Sequence, residues 1–547
     1  MIKLNFGFLY HILWMKSQKM GKRGNFFLLF VVSLGILISV MLSFLQHRQS
    51  QTRTYDENEE PRAGDEESAT VQKDPEKLLP EKLMIGEKAP EVIFQTSEGE
   101  IISVSTFSNP QKKGIWFSFV DCQNTEQAEI KAAAGQIKEI SSDFDLTPVI
   151  VGNSSSEEYD LLIDPDGAAY QAWGLQTLPS DIILDPQGRV LEYHAGNMAP
   201  GEMKGLLQRA EDGRDNVSYH FITDKMSDGE GGFYTSTGRN GKSPSGKDIL
   251  SESQGLMMLA ALEKNDPDLF ARVWSFTKDH LIKNGLAVWY ISEKGDPARV
   301  NALIDDIRIW YALDQAEKRG MGSYADDSAG MLSAVKTRCL DKKGRLVDFV
   351  DLSDGKQTDT ISLQYLDLAA LDLMAQADPD LTAAYQNAVN ILLDGRISDE
   401  FPLYYRSYNY KSRSYDSGYL NTAEALYTLW NLSRADLLPD DAFQWLREQV
   451  ENGTLAASYK TNGKVVPGYN YHSTAVYALA ALIARETGDK EMFETALRRM
   501  ERKFILNAED EFFGSYSQKG AAVYSFDQML PFLVNISLAD PFDDGRE

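Results

Sequence analysis

The sequence predicts a multidomain chain with an N-terminal transmembrane helix, an α/β domain and a larger all-α domain. Three observations carry that prediction. One apolar stretch near the start is unbroken, strand-like buried runs occur between 115 and 184, and amphipathic segments with helical spacing fill the chain after 213. At 547 residues the chain exceeds one typical domain, so two folded units plus appendages are expected.

The apolar stretch, Phe26 to Leu45, matches the roughly 20 residues a spanning helix needs. Lys16, Lys19, Lys22 and Arg23 precede it, and Asp56, Glu57, Glu59 and Glu60 follow. The positive-inside rule then puts 1–25 in the cytoplasm and everything after 45 outside the cell. No small-x-small cleavage site closes the stretch, so 26–45 reads as an uncleaved signal anchor in a single-pass cell-membrane protein. Residues 46–82 are polar and acidic with almost no aromatic residues, a composition that suits a disordered linker lifting the rest off the membrane.

Charge and metal-binding residue types exclude several classes. A formal charge of -26 leaves no room for a nucleic-acid footprint. Cys122 and Cys339 are far apart and make no disulfide framework. His11, His47, His194, His220, His280 and His472 show no ligand spacing, so no metal is implied, and no motif calls for a cofactor.

Residues 83–211 form the α/β unit. Ile115–Val120, Pro148–Val151 and Asp181–Leu184 read as buried strands, and Asp185-Pro186-Gln187-Gly188 as a hairpin turn. Gly86-Glu87-Lys88-Ala89-Pro90, the strand into Cys122, and Gly174 to Ser180 resemble the membrane-anchored extracytoplasmic branch of the thioredoxin superfamily. By that resemblance the fold is thioredoxin-like and Pro179 is the cis-proline facing the redox centre. The family's CxxC is here Cys122-Gln123-Asn124-Thr125, and Thr125 cannot resolve a mixed disulfide. Two readings stand: Cys122 is a lone low-pKa redox thiol at a helix N-terminus, or the domain is a degenerate spacer or binding module.

Residues 213–541 are helical almost throughout. Asp266-Pro267 opens a helix with proline at its first position, and further segments run from about Ala302 to Lys318, Tyr324 to Lys336, Thr360 to Ala375, Leu381 to Leu393, Thr422 to Leu432, Asp440 to Val450, Ser473 to Glu486, Lys490 to Lys503 and Ala521 to Ile536. Such a series suits a closed toroid of helix pairs with a cleft at one end.

The run Ile249 to Leu259 places Glu252 at the mouth of a helix whose next residues are small and apolar. Low-dielectric packing behind a carboxyl raises its pKa and keeps it protonated as a general acid. Ordinary capping by Ser251 and Glu252 is the alternative. Ser251 to Ala261 resembles the SEGQGYGMLLA motif of glycoside hydrolase family 8, and Asp268-Leu269-Phe270, Val273-Trp274, Thr277 to Leu281 and Gly285 to Tyr290 continue the likeness. The resemblance implies an (α/α)6 barrel and an inverting attack on β-linked sugars, with Glu252 as the acid.

The family's second motif meets Ala302-Leu303-Ile304-Asp305-Asp306. Asp306 keeps its last aspartate, Ile304 replaces its sugar-contacting first one, and Asp305 partly replaces that by a one-residue shift, so the resemblance implies Asp305 and Asp306 as substrate-binding residues. Ser414-Tyr415-Asp416 resembles the family's site for the catalytic base, which makes Asp416 the base; an Asx turn before a helix is the alternative. Sugar rings stack on aromatic side chains, and Trp289, Tyr365 and Tyr405 are the expected subsite residues. Asp527 reads as a structural contact at the barrel end.

Together these imply a membrane-anchored, extracellular, endo-acting hydrolase of a β-linked polysaccharide, cellulose-like or an exopolysaccharide, with an exopolysaccharide synthase complex as its partner by family analogy. A non-catalytic glycan-binding scaffold, motivated by Ile304, and a thiol redox or assembly module are the rivals.

Overall fold

The structure, a computed structural model, describes residues 82–539 except 110, 155–160, 165–166 and 518–521. The expected cytoplasmic segment 1–25, the anchor 26–45 and all but Lys82 of the linker 46–82 lie outside the described residues. Among those described, no helix is long and apolar enough to cross a membrane.

The first unit contains β1 (Ile93–Gln95), β2 (Ile101–Ser103), β3 (Gly114–Val120), α1 (Gln127–Asp143), β4 (Leu146–Gly152), β5 (Leu162–Ile163), α2 (Ala168–Ala172), β6 (Ser180–Leu184), β7 (Val190–Ala195) and α3 (Pro200–Asp212). They form one mixed sheet in the order β2-β1-β5-β4-β3-β6-β7. Strand β3 runs parallel to β4, with Gly114 opposite Leu146, and antiparallel to β6, with Ile115 opposite Leu184. Because β3 is central and covered on both faces, all seven of its residues are buried, and the run is continuous rather than alternating. Phe117 packs with Phe94 and Trp173 on one face, and Trp116 packs with Ile137 and Leu206 on the other. The expected turn is present: Asp185 accepts from the backbone N–H of Gln187, and Gly188 takes the positive φ of 82°. The Leu178–Pro179 peptide is cis.

The chain enters the second unit through Gly213, whose φ of 89° favours glycine. Its helices are α4 (Arg214–Lys225), α5 (Ser251–Glu263), α6 (Pro267–His280), α7 (Leu303–Lys318), α8 (Ala325–Arg338), α9 (Leu368–Ala377), α10 (Thr382–Asp394), α11 (Thr422–Arg434), α12 (Asp440–Asn452), α13 (Thr474–Thr487), α14 (Lys490–Glu501) and α15 (Ser525–Ile536). Helices α5, α7, α9, α11, α13 and α15 each touch the next, and α15 returns to α5. They close a ring, and the other helices lie outside it. The sequence marks the difference. Inner helix α13 is buried at every position from Thr474 to Ala484, whereas outer helix α12 buries only the stripe Ala442, Leu446 and Val450. This is an (α/α)6 barrel.

One expected helix breaks in two. Thr360 to Ala375 becomes a strand at Thr360–Ser362, a tight turn at Leu363–Tyr365, and α9 from Leu368. Asp367 is the reason: its side chain caps the Ala370 N–H at 3.1 Å, which starts the helix there and ends any continuation from upstream.

The two units meet closely. A Cβ on Gly205 of α3 would lie 1.7 Å from the Leu506 carbonyl oxygen, so only glycine permits this approach. Beside it, Arg214 donates two bonds to Glu192, at 2.7 and 2.6 Å, while Arg209 donates to Glu501 at 2.7 Å and lies 3.3 Å from Glu192. Burial pushes the Glu501 carboxyl up, but Arg209 and Arg214 outweigh it and hold it below its ordinary value. Removing one partner of such a network leaves a buried charge exposed to low dielectric. Arg214→Met is therefore expected to lower stability by about 3–5 kcal/mol, read as a fall in the urea midpoint, with the barrel's helical circular dichroism retained before the transition.

Candidate active site

The first turns of four inner helices each carry a carboxylate: Glu252 on α5, Asp305 on α7, Glu424 on α11 and Asp527 on α15. The charges of the other three act on Glu252, so these N-termini converge at one end of the ring. Short strand pairs hold the entries in place, with Leu250 opposite Tyr290 before α5, Asn421 opposite Ser458 before α11, and Tyr524 opposite Ser236 before α15.

Burial is the largest influence on Glu252 and pushes its carboxyl up to about 7. Asp305, Glu424 and Asp527 push the same way, and Arg308 pulls against them. A helix N-terminus favours a carboxylate, but here desolvation and like charge win, and the side chain stays protonated near neutrality. Among the described residues none hydrogen-bonds the Glu252 carboxyl, which leaves its proton available.

Arg308 organises the cluster. Its Nη1 donates to Asp305 Oδ1 at 2.8 Å and its Nη2 to the Tyr427 hydroxyl at 2.8 Å, so the guanidinium bridges α7 and α11. Burial works against its charge, yet Tyr427, Asp305 and Glu252 outweigh burial and hold it above its ordinary value. Gly255, one turn after Glu252, makes room: a Cβ there would stand 3.0 Å from Arg308 Cδ.

Asp305 and Asp306 part company. Asp305 accepts from Ser251 Oγ and from Arg308 and belongs to the cluster. Asp306 is fully enclosed, accepts from the Ala287 N–H at 2.7 Å and from Asn301 Nδ2 at 2.7 Å, and is pushed by burial up to about 8. One residue turns a helical side chain by about 100°, enough to move it from the bore into the wall. The expected sugar contact at Asp306 is thus placed as a brace for the loop before α7, and the Asp305 side chain faces the cluster.

Trp289 stands beside the acid. Its carbonyl accepts from the Ser251 N–H at 3.0 Å, and its half-buried ring lies 4.7 Å from that of Tyr290. Tyr405 lines a small cleft with Gln364, Arg406, Asn421, Glu424 and Thr428. Its ring stacks on Tyr415 at 5.4 Å. Tyr365, half-buried, closes the tight turn that contains Gln364. Asp416 accepts from Arg406 Nη2 at 2.6 Å and from the Gly418 N–H at 2.9 Å, and 36% of its side chain is exposed. It therefore reaches the cleft through Arg406, whereas Glu424 lines it directly.

Glu424 and Arg308 were not legible as site residues. Asn421 followed by Glu424 is a capping signal, and Asn421 does cap Ala423 and Glu424, so the spacing announces a helix start and nothing more. Cys122 differs from the low-pKa thiol expected: α1 starts only at Gln127, the thiol is buried, and burial pushes it up. Among the described residues no cluster of ligating side chains suits a metal.

A family model described as glycosyl hydrolases family 8 matches residues 231–346. The chain is 32% identical over 294 residues to "Putative lipoprotein YdaJ" of Bacillus subtilis, a match covering 53% of this chain and 79% of that protein. Among solved structures, a novel alpha-amylase from Clostridium perfringens shares 28% identity at a TM-score of 0.55, over 59% of this chain and 97% of that one. PssZ from Listeria monocytogenes shares 20% at a TM-score of 0.47, over 58% and 93%.

The neighbouring aspartates separate by experiment. Asp306→Ala leaves two buried donors without an acceptor and is expected to cost about 2–4 kcal/mol, read as a lower unfolding midpoint. Asp305→Asn removes a negative neighbour, so the Glu252 pKa falls. A reaction needing protonated Glu252 then loses rate as pH rises through about 7 in the wild type, and at lower pH in Asp305→Asn. The pH profile of kcat/KM checks both.

Proposed function

Because the chain belongs to glycosyl hydrolases family 8, and is a glycosidase, we propose that it cuts internally in a glycan chain by inversion, with Glu252 donating a proton to the leaving oxygen. The observation that supports this most is Glu252 itself, held protonated near neutrality at the convergence of four helix N-termini. As the glycosidic bond breaks, the Glu252 proton passes to the leaving oxygen. Water attacks the anomeric carbon from the opposite face, and a second carboxylate takes its proton. Inverting enzymes separate the two carboxyl groups by roughly 6.5–9.5 Å to leave room for that water.

Asp416 is the base in this reading, reaching the cleft beside Arg406. Glu424 is a second candidate, favoured by its place in the cleft wall and by its effect on Glu252. Asp305 with Arg308, and the rings of Trp289, Tyr365 and Tyr405, would hold the sugars on either side of the scissile bond.

The substrate we propose is a β-linked polysaccharide, cellulose-like or an exopolysaccharide, handled outside the cell by an enzyme anchored through 26–45 near a synthase complex. The alpha-amylase likeness supports a second substrate, an α-linked glucan. The same two carboxyls serve either anomer, because the sugar face presented to the water decides which bond is inverted. The α/β unit we read as a thioredoxin-like brace lacking the CxxC, locked to the barrel through Glu192, Arg214 and Glu501.

Reducing-end release from β-glucans, chitosan, xylan, starch and the host's exopolysaccharide tests this. Wild type should cleave one of them with inversion of the new anomer, and Glu252→Gln should lose at least a thousandfold, in line with the loss of acid catalysis. Azide can replace the activated water, so it should rescue whichever of Asp416→Asn and Glu424→Gln has lost the base. Cleavage unaffected by Glu252→Gln would sink the reading, and intact binding without any cleavage would favour the glycan-binding scaffold.

A further inference from the structure

Arg308 and Tyr427 meet across the bore. Helices α7 and α11 are not neighbours in the ring, because α9 stands between them and touches both. A bond between their side chains therefore spans the bore itself. The Tyr427 hydroxyl accepts from Arg308 Nη2 at 2.8 Å and from its Nε at 3.3 Å, so one oxygen engages two of the three guanidinium nitrogens. The third, Nη1, donates to Asp305 Oδ1 at 2.8 Å. Asp305 is tied in turn to the start of α5 by the hydroxyl of Ser251, the residue before Glu252.

Each partner is fixed from its own side. Tyr427 lies one turn after Glu424 on the same face of α11, and its ring packs edge-on against Trp430 at 5.2 Å. Burial pushes its hydroxyl up against the pull of Arg308, with Asp367 and Arg434 as the other charges acting on it. It is thus a neutral acceptor and leaves the guanidinium its full charge. The Arg308 stem runs against α5 one turn after Glu252, since a Cβ on Gly255 would stand 3.0 Å from Arg308 Cδ. A guanidinium on that stem is close to the acid, yet among the described residues Glu252 has no ion-pair partner, and Arg308 acts on it by charge alone.

Charge favours a pairing of the two. The groups acting on Glu252 are Asp305 and Arg308 from α7, Glu424 from α11 and Asp527 from α15, which makes three acids and one cation in a low-dielectric space. Were Arg308 to settle on Glu252, it would stabilise the carboxylate and strip the acid of its proton. In the order of the ring α11 lies opposite α5, so a bond to Tyr427 draws the guanidinium toward the wall facing the acid.

We propose that Tyr427 is a positioning residue for the proton donor: by engaging Nε and Nη2 it keeps the Arg308 guanidinium turned to Asp305 and α11, and so leaves the Glu252 proton available to the leaving oxygen. This rests on the hydrolase reading and deepens it, because it names the group that keeps the cation off the acid. The hydroxyl acts through Arg308 and touches no reacting atom in this role.

Tyr427→Phe removes the hydroxyl and keeps the ring against Trp430. In the full chain the alkaline limb of kcat/KM should move to lower pH by at least one unit, which is about a tenfold loss of rate on that side and little loss at lower pH. Arg308→Met should move the limb the other way, because it removes the cation that favours the Glu252 carboxylate. The double variant should follow Arg308→Met, since Tyr427 acts only through Arg308. Substrate-free protein gives an independent reading by infrared titration of the protonated-carboxyl band that Glu252→Gln removes. Its midpoint should fall in Tyr427→Phe, and this measurement decides the matter even where Arg308→Met does not fold. A midpoint unmoved by Tyr427→Phe, an equal loss of kcat/KM at every pH, or additive shifts in the double variant would overturn the proposal. Failure of the hydrolase reading would look different: no reducing ends from wild type on any glycan, with the infrared midpoint still lowered by Tyr427→Phe.

Discussion

Arg308 is the charge on which the mouth of the barrel depends. Carboxylates on four converging helices cannot share a low-dielectric space unless some are neutral or one cation sits among them. Arg308 compensates Asp305 directly, reaches Tyr427 on α11, and moderates Glu252 without pairing with it. The environments differ: burial pushes both carboxyls up, but Asp305 is hydrogen-bonded by Arg308 and Ser251, which pull the other way, whereas no described residue hydrogen-bonds Glu252. Gly255 belongs to the same device, since a side chain there would press on Arg308. The family motif around Glu252 thus encodes an acid together with the space needed by the cation that tunes it.

The ring architecture supplies the rest. Six inner helices place their first turns around one bore, the most enclosed of them, α13, buried at every position from Thr474 to Ala484, and the outer helices supply the covering. Strand pairs before α5, α11 and α15, and the Val288–Asn301 bridge before α7, fix how those helices enter, so the angular position of a first-turn residue is closely set. That precision separates Asp305 from Asp306, and it also makes Asp306 a loop brace whose buried hydrogen bonds hold the entry to α7.

The α/β unit is held by charge and by close backbone approach rather than by a flexible linker. Glu192, Arg209, Arg214 and Glu501 form a network with one carboxylate from each unit, and Gly205 admits the barrel loop at Leu506. Cys122 of this unit is buried, and burial pushes its thiol up.

Much of this was legible in the amino-acid sequence. Helical periodicity, Pro267 at a first position and the apolar run through β3 each act locally, within a few residues, so the two folded units and the turn at Asp185 could be read directly. Glu252 was legible for the same reason, because the apolar residues that raise its pKa follow it in the chain. What only the tertiary structure decided is who surrounds it. Asp305 rather than Asp306, and Glu424 from a helix more than a hundred residues on, meet it through ring closure, and closure depends on packing between helices far apart in sequence. The broken helix at Asp367 follows the same logic at shorter range: propensity allowed a single helix, and a capping side chain in its folded context chose two elements.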